Sequence, residues 1–371
     1  MGVSVHEVVS SGDMRQFIRY PFSLYARDPH FVPHLLSERK RFFSRRNPLF
    51  EFTDVQYLLA RNSEGKVVGR ITAHVNRRHN EYWREKAGFF GFFESVPELE
   101  VARALLAAAE GRLRRRGMTV IRGPFNFSTN EECGFLVKGF DSLPVLMMTY
   151  TKEYYLDFMA KLGYTKAKDL LAYSYGHTGN IPDYLRRFSE RVVQRSKVTV
   201  RQIRMDRFEE DVRRAFSVYN QAWARNWGFI PMTEPEFIYM AHELKPIVDT
   251  SVAHIAEIGG KAVGFVLALP DYNPIFQKMK GRLFPFGIFR FLLGRRHISR
   301  LRVITMGVVP EHRKRGIDIL LIYRTFVDGL EKGYRWAEFS WVLEDNEIFK
   351  RAMDRLGAEQ YKTYRIYEKN L

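Results

Sequence analysis

The sequence has little cysteine and no long apolar run, and both shortages exclude classes of protein. Its single cysteine, Cys133, cannot form an internal disulfide and leaves too few thiolates for a structural zinc site. No segment approaches the ~18 consecutive apolar residues of a membrane-spanning helix. The first residues lack the basic and then apolar order of an export signal. These absences predict a cytoplasmic protein that holds no metal.

Basic residues are in clear excess. Among 371 residues, 59 Lys and Arg against 42 Asp and Glu give a formal net charge of +17. This excess suits a nucleic acid, an anionic membrane surface or a phosphorylated cofactor as partner, and a generic basic surface is the alternative. The sequence has no Cys/His finger, heptad repeat or RNP-type aromatic motif, so we expect no nucleic acid partner.

The chain repeats one order of predicted elements, which indicates a duplicated fold. Each half begins with a hairpin around a glycine turn, Gly65–Gly69 and Gly260–Gly264. An apolar helix that ends at a glycine follows, over 101–116 in the first half and 317–332 in the second. A strand, a second helix and a last strand complete the order ββ–β–α–β–α–β. The pattern predicts an α/β fold with a mixed α+β sheet.

We place two domains at residues 1–185 and 199–371, separated by a polar, basic segment. The first domain has an insertion over 123–134 that is dense in hydrogen-bonding groups. Insertions into a repeated scaffold are often functional loops, and an ordinary polar loop is the alternative. Within it, Asn126, Asn130 and Glu132 are the residues that we expect to recognise the acceptor.

The second domain has an insertion over 275–296 that mixes aromatic side chains with Lys and Arg. This composition suits an interfacial segment on anionic lipid, and it is too charged to span a bilayer. A lid packed over an apolar pocket is the alternative. Both interpretations favour an apolar substrate, and the first predicts peripheral attachment to the inner face of the membrane.

The second domain also contains a predicted anion site. An apolar strand over 301–309 leads into the turn Arg313-Lys314-Arg315-Gly316, and a helix begins at Ile317. At such a junction free N–H groups point at the anion, and the glycine lets a phosphate approach. Cations oppose the dipole at a helix N-terminus, so a bound phosphate explains them. A solvated charge cluster is the alternative.

These motifs resemble those of the GNAT acyltransferase superfamily. Residues 313–318 resemble its pyrophosphate loop, 305–310 its pantetheine-binding strand, and Asn346 its second cofactor motif. The resemblance covers 199–371 and implies acyl-CoA as co-substrate. It assigns these residues to the cofactor: Met306, Gly307, Val308, Arg313, Lys314, Arg315, Gly316, Ile317, Asp318 and Asn346.

Two positions depart from the family pattern. Asp318 replaces a Gly or Ala, and its carboxylate would repel a diphosphate unless it turned away or paired with a base. Met353 replaces the frequent acid tyrosine, and Tyr364 on the last strand is our candidate substitute; an ordinary tyrosine of an amphipathic strand is the alternative. In the first domain three carboxylates over 94–100 precede the corresponding helix. We therefore expect that domain to hold no cofactor and to shape the acceptor side.

Over its full length, the layout resembles a bacterial family of tandem GNAT acyltransferases whose relatives include ceramide synthases. That resemblance implies fatty acyl transfer from acyl-CoA to an amphiphilic amine such as a sphingoid base, with Asn226 and Trp227 at the substrate. Two alternatives stay open: acetyl transfer to a small amine or a protein lysine, and a non-catalytic, membrane-associated CoA-binding protein.

Acylation of an amine needs a base, because a protonated amine is not nucleophilic. Glu344 is the predicted base, since it follows the strand over 336–342 beside Asn346, where GNAT chemistry occurs. Asp271, at another strand exit, is the second candidate. A helix-cap or turn role is the alternative for each. We expect the N–H groups of 306–308 to hold the oxyanion.

Overall fold

The structure, a computed structural model, describes residues 2–176 and 181–371, so residues 177–180 of the predicted first domain lie outside the described residues. The first half contains β1 (Ser4–Glu7), α1 (Ser11–Leu24), α2 (Leu36–Phe42), β2 (Thr53–Arg61), β3 (Val67–Asn76), α3 (Arg77–Trp83), β4 (Ala87–Ser95), α4 (Leu99–Arg115), β5 (Val120–Gly123), β6 (Phe135–Lys138), α5 (Tyr154–Lys161) and β7 (Thr165–Gly176). The second half contains α6 (Asp183–Ser196), β8 (Thr199–Gln202), α7 (Phe208–Ala222), α8 (Glu234–Leu244), β9 (Ala253–Ile258), β10 (Lys261–Pro270), α9 (Asn273–Met279), α10 (Gly287–Gly294), β11 (Arg300–Val308), α11 (Ile317–Glu331), β12 (Trp336–Leu343), α12 (Glu347–Leu356) and β13 (Glu359–Asn370).

The element order of the first half recurs in the second, as the sequence predicted. Apart from α3 and β6 in the first half and α6, α9 and α10 in the second, both halves run strand, two helices, hairpin, third strand, helix, strand, helix, strand. The predicted helices over 101–116 and 317–332 are α4 and α11, which end before Gly117 (φ 78°) and Gly333 (φ 94°). The glycines fit because this left-handed conformation is strained for other residues. The α/β fold with a mixed sheet is confirmed.

The last strand of each half is exchanged between the halves. In the 13-stranded sheet β7 pairs with β12, β13 pairs with β5, and β7 and β13 pair antiparallel with each other at the centre. The strand over 359–370 therefore completes the sheet of the first half. The domain limits at 1–185 and 199–371 stay a prediction about the sequence repeat, because the sheet is continuous across them.

The neighbouring strands β11 and β12 separate part-way along their length. They pair in parallel from Arg300↔Trp336 to Val303↔Phe339. Beyond that point, within the described residues, β11 pairs with β10, and β12 pairs with β7. A V-shaped opening therefore lies between residues 304–308 and 340–343, and it faces the turn before α11.

The corresponding opening in the first half is filled by the chain itself. The strands β4 and β5 pair only as far as Phe89↔Arg122. The N–H of Phe125 then donates to the Phe90 carbonyl (2.7 Å), and the N–H of Phe92 donates to Asn126 Oδ1 (2.8 Å). This packing supports the expectation that the first half holds no cofactor, which stays a prediction.

Substitution of Gly91 tests how tightly the opening between β4 and β5 is filled. A Cβ at Gly91 would lie 1.8 Å from the Phe125 carbonyl oxygen, so Gly91→Ala has to displace backbone. We expect the free energy of unfolding in urea to fall by about 2–3 kcal/mol. Gly111→Ala is the matched control, because its Cβ would meet nothing closer than Arg115 Nη1 at 3.7 Å. Equal unfolding midpoints for Gly91→Ala and the wild type would contradict the filled opening.

Candidate active site

The turn before α11 presents free donors and free cations. The first helical N–H with an i−4 partner is that of Leu320, which donates to the Gly316 carbonyl (3.0 Å), so the N–H groups over 317–319 precede the ladder. Lys314 and Arg315 are exposed, and neither pairs with a carboxylate in the described part of the chain. Such donors and cations together suit a diphosphate.

Two other residues of the predicted loop have structural partners. Arg313 donates through Nε to the Val308 carbonyl (3.2 Å) and through Nη2 to the Ala222 carbonyl, which fixes the end of α7 to β11. Gly316 (φ 80°) packs against α6, since a Cβ there would lie 2.5 Å from Phe188 Cε1. Asp318 is exposed in the first turn of α11. Their contacts with CoA stay predictions.

The predicted pantetheine-binding residues lie along the V-shaped opening. Met306, Gly307 and Val308 pair with β10 and have no strand partner on the side of β12 within the described sheet. Trp223 covers Gly307 so closely that a Cβ there would lie 2.4 Å from its Cη2. Asn346 caps α12 by accepting the N–H of Phe349 (3.2 Å), and its contact with CoA stays a prediction.

A cavity of about 240 Å³ lies beside this opening, enclosed by the first-half insertion, α7, α8 and the sheet. Its lining is mainly apolar, including Phe208, Val212, Phe237, Met240, Leu244 and Ile255. Four of the five predicted substrate residues line it: Asn130, Glu132, Asn226 and Trp227. The cavity thus joins an apolar wall to a polar end, beside the strand predicted to bind CoA.

The asparagines hold the insertion in place. Asn130 accepts the hydroxyl of Tyr219 (2.8 Å) and donates to the Ile230 carbonyl (3.3 Å), so its amide links the insertion to α7 and the loop after it. Asn126 does not line the cavity. It donates to Glu132 Oε2 (3.2 Å) and supports that carboxylate from behind.

Two adjacent carboxylates in the cavity have opposite electrostatic surroundings. Burial alone would raise the pKa of Glu132, but the charge of Arg39 (2.9 Å), with His34 and the hydrogen bond from Asn126, lowers it to about 2. The side-chain carboxyl of Glu131 has no hydrogen-bond or ion-pair partner among the described residues. Burial, with Glu132 beside it, raises the pKa of Glu131 to about 8. Sequence reasoning missed Glu131, although adjacent carboxylates in a basic chain were a signal.

The structure places the predicted base Glu344 outside the cavity lining. Its carboxylate accepts from Lys166 Nζ (2.8 Å) and from the N–H of Asp169 (3.1 Å), so both oxygens are engaged in joining β12 to β7. A general base has to reach the proton that it removes. This geometry does not favour Glu344 for that role.

The other two predicted catalytic residues are also absent from the cavity lining. Asp271 is 2% exposed, and its Oδ1 accepts the N–H groups of Leu146 (3.0 Å) and Asn273 (3.2 Å). Burial raises the pKa of Asp271 to about 6, against the charge of Arg300. Tyr364 is fully buried, which raises the pKa of its phenol well above the usual range. The hydroxyl of Tyr364 has no hydrogen-bond partner among the described residues, and the catalytic roles of both side chains stay predictions.

The second-half insertion exposes an apolar patch formed by α10 and the turn before it. Phe284 (72% exposed), Phe286 (73%), Phe289 (62%) and Leu293 (71%) face outward, and none of them lines the cavity. Phe291 instead packs on Tyr272 (5.0 Å between ring centroids). None of the helices in the described ranges is long and apolar enough to cross a bilayer.

Comparisons with known proteins show which family and which fold this chain shares. No protein-family profile matches the chain. It is 36% identical to protein YghO of Escherichia coli strain K12, over 99% of this chain and 95% of that one. It is also 36% identical to the bacterial ceramide synthase of Caulobacter vibrioides, over 100% of this chain and 98% of that one. A solved tandem GNAT protein from the clavulanic acid biosynthesis pathway shares the fold, with 13% identity, a TM-score of 0.57, and coverage of 100% of this chain and 98% of that one.

Proposed function

This chain belongs to the family of tandem GNAT acyltransferases that includes the bacterial ceramide synthase, and it is an N-acyltransferase that uses acyl-CoA. We propose that it transfers a long acyl chain to an amphiphilic amine such as a sphingoid base. The observation that carries this proposal is the cavity with an apolar wall and a carboxylate end. The wall would take a hydrocarbon tail, and the polar end with Glu131 would take the amine head.

The charged residues of the cavity support the same assignment of its apolar and polar ends. In a chain of net charge +17, the cavity carries both Glu131 and Glu132. Glu132 is neutralised by Arg39, which leaves Glu131 to face the substrate amine. We propose Glu131 as the group that takes the ammonium proton before attack. A small polar amine would leave the apolar wall without a partner.

The test is a matrix of donors and acceptors with the purified protein. Acetyl-, octanoyl- and palmitoyl-CoA would each be offered to sphinganine, spermidine and a lysine peptide, with products identified by mass spectrometry. We expect kcat/KM to be highest for palmitoyl-CoA with sphinganine. Comparable transfer from acetyl-CoA to spermidine or the peptide would contradict the lipid substrate and favour small-amine acetylation.

We also propose that the apolar patch of α10 rests on an anionic membrane, where both amphiphilic substrates would be found. Its aromatics stand among six basic residues of the insertion: Lys278, Lys280, Arg282, Arg290, Arg295 and Arg296. Cations near an anionic surface contribute up to about 1 kcal/mol each, a term that salt screens, whereas apolar insertion is not screened. This combination suits peripheral binding.

Vesicle flotation tests the membrane proposal. We expect binding to vesicles rich in phosphatidylglycerol that weakens with salt but does not vanish. The triple variant Phe286→Ser, Phe289→Ser, Leu293→Ser should lose the salt-resistant part, because these side chains are exposed. Phe291 is left unchanged because it packs on Tyr272. The double variant Val9→Ser, Ile348→Ser, at exposed positions elsewhere, is the control. A wild-type protein that stays free of these vesicles at low salt would contradict the proposal.

A further inference from the structure

Two buried hydrogen-bond donors at the cavity have no acceptor in the described chain. They are Nε1 of Trp341 and Oγ1 of Thr305, and both residues line the cavity. Buried polar groups are nearly always paired in native proteins, so two orphaned donors in one cavity point to a missing acceptor. An oxygen of a molecule bound in the cavity would supply this acceptor.

Both donors lie at the base of the V-shaped opening. The last paired residues of the two parting strands are Val303 of β11 and Phe339 of β12. Thr305 is two residues beyond Val303, and Trp341 is two residues beyond Phe339. The two residues thus lie on the two parting strands, close to where the strands separate. A thioester that enters between these strands would place its carbonyl between them.

The indole ring of Trp341 is held in position by a charged neighbour. The Arg302 guanidinium lies 5.5 Å from the centroid of the Trp341 ring. Arg302 is itself fixed, since Nε donates to Ser340 Oγ (3.1 Å) and Nη1 donates to the Leu146 carbonyl (2.7 Å). A cation over the ring is attracted to its π-face, and it makes the indole N–H a stronger donor.

A buried carboxyl group stabilises the position of Arg302 electrostatically. Glu338 is fully buried, accepts the hydroxyl of Ser340 and also accepts the hydroxyl of Tyr361. Burial raises the pKa of Glu338 to about 7, against the charge of Arg302. This carboxyl does not line the cavity, so it positions Arg302 and Trp341 and does not meet substrate.

We propose that Trp341 Nε1–H, assisted by Thr305 Oγ1–H, donates to the acyl carbonyl oxygen and stabilises the oxyanion of the tetrahedral intermediate. The amine nitrogen bonds to the carbonyl carbon, and the C=O electron pair moves to the oxygen. When the oxyanion collapses, the C–S bond breaks, CoA leaves as thiolate, and the nitrogen proton restores the thiol. The inference needs acyl transfer from CoA but does not depend on the long-chain acceptor.

The variant Trp341→Phe tests the donor, because it keeps an aromatic ring and removes the N–H. With the best acyl-CoA of the donor series, we expect kcat to fall at least tenfold while KM for acyl-CoA changes less than about threefold. Thr305→Val, which keeps the shape and removes the hydroxyl, should lower kcat by a smaller factor. Trp336→Phe is the matched control: it lies on the same strand, beside Arg300 and away from the cavity, and should leave kcat unchanged.

Two outcomes would overturn the assignment. One is a folded Trp341→Phe variant with the kcat of the wild type. The other is a rise in KM alone, which would mean that the donors bind the pantetheine arm and not the reacting carbonyl. If Trp341→Phe lowers the melting temperature strongly, Thr305→Val decides: an unchanged kcat there rejects the proposal. Failure of the long-chain acceptor proposal would leave these readouts intact, since they are measured with whichever donor and acceptor react.

Discussion

Replacing Glu131 by glutamine is expected to lower kcat at least a hundredfold, the largest effect that we predict. A positioned general base contributes about 10²–10⁴-fold to rate, and glutamine keeps the size of the side chain but cannot take a proton. Glu131 is the carboxylate of the cavity without a partner among the described residues, whereas Glu132 is engaged by Arg39. Steady-state kinetics should show the loss in kcat with little change in acyl-CoA affinity.

The role of Glu131 as a base also predicts the direction in which the rate changes with pH. A base has to be deprotonated, so kcat/KM of the wild type should rise with pH up to about 8, the raised pKa of Glu131. The rise should be absent in Glu131→Gln. Glu243→Gln is the control, because Glu243 pairs with Arg41 (3.0 Å) and does not line the cavity. An unchanged profile and kcat in Glu131→Gln would assign the base elsewhere.

Stability should depend on the same proton. The pKa of Glu131 is raised from 4.5 to about 8 on folding, so the folded state binds the proton more tightly. The contribution of this group to the free energy of unfolding is then fully present below pH 4.5 and is lost as pH rises to about 8. Urea denaturation should show this component in the wild type and not in Glu131→Gln.

The second large effect is expected at the turn before α11. The double variant Lys314→Ala, Arg315→Ala should weaken CoA binding about a hundredfold, because each charge-assisted contact with a phosphate contributes about 1.5–3 kcal/mol. Both cations are exposed and lack a carboxylate partner in the described ranges, so their removal should not disturb the fold. Calorimetry with CoA measures the loss, which should shrink at high salt.

Two other residues of that turn are unsuitable for this test, because the structure gives them contacts that hold the fold together. Arg313 holds the carbonyls of Val308 and Ala222, so Arg313→Ala would loosen α7 as well as the loop. Any side chain at Gly316 would meet Phe188 of α6. The control is Glu98→Ala with Glu100→Ala, at the corresponding turn of the first half, where CoA affinity should not change. Normal CoA affinity in the Lys314/Arg315 variant would remove the anion-site assignment.

The repeated order of elements could be predicted from the sequence alone, because short-range patterns of residues specify that order. Helix and strand periods differ, and a glycine at a helix end is needed where φ is positive, so Gly117 and Gly333 could be read without a structure. The basic turn before Ile317 was visible for the same reason: it is a contiguous segment. The resemblance to tandem GNAT acyltransferases followed from these local features.

How the halves are joined, and which side chains line the cavity, depends on contacts between residues far apart in the chain. The exchange of β7 and β13 depends on pairing between distant strands, which no local pattern specifies. Glu344 looked free at its strand exit, yet Lys166, far away in sequence, engages it. Conversely, Glu131 and Trp341 carry no motif: Glu131 lines a cavity assembled by both halves, and the indole N–H of Trp341 is buried there without an acceptor among the described residues. Burial and the absence of a partner are properties of the packed chain, so the sequence alone could not identify these residues.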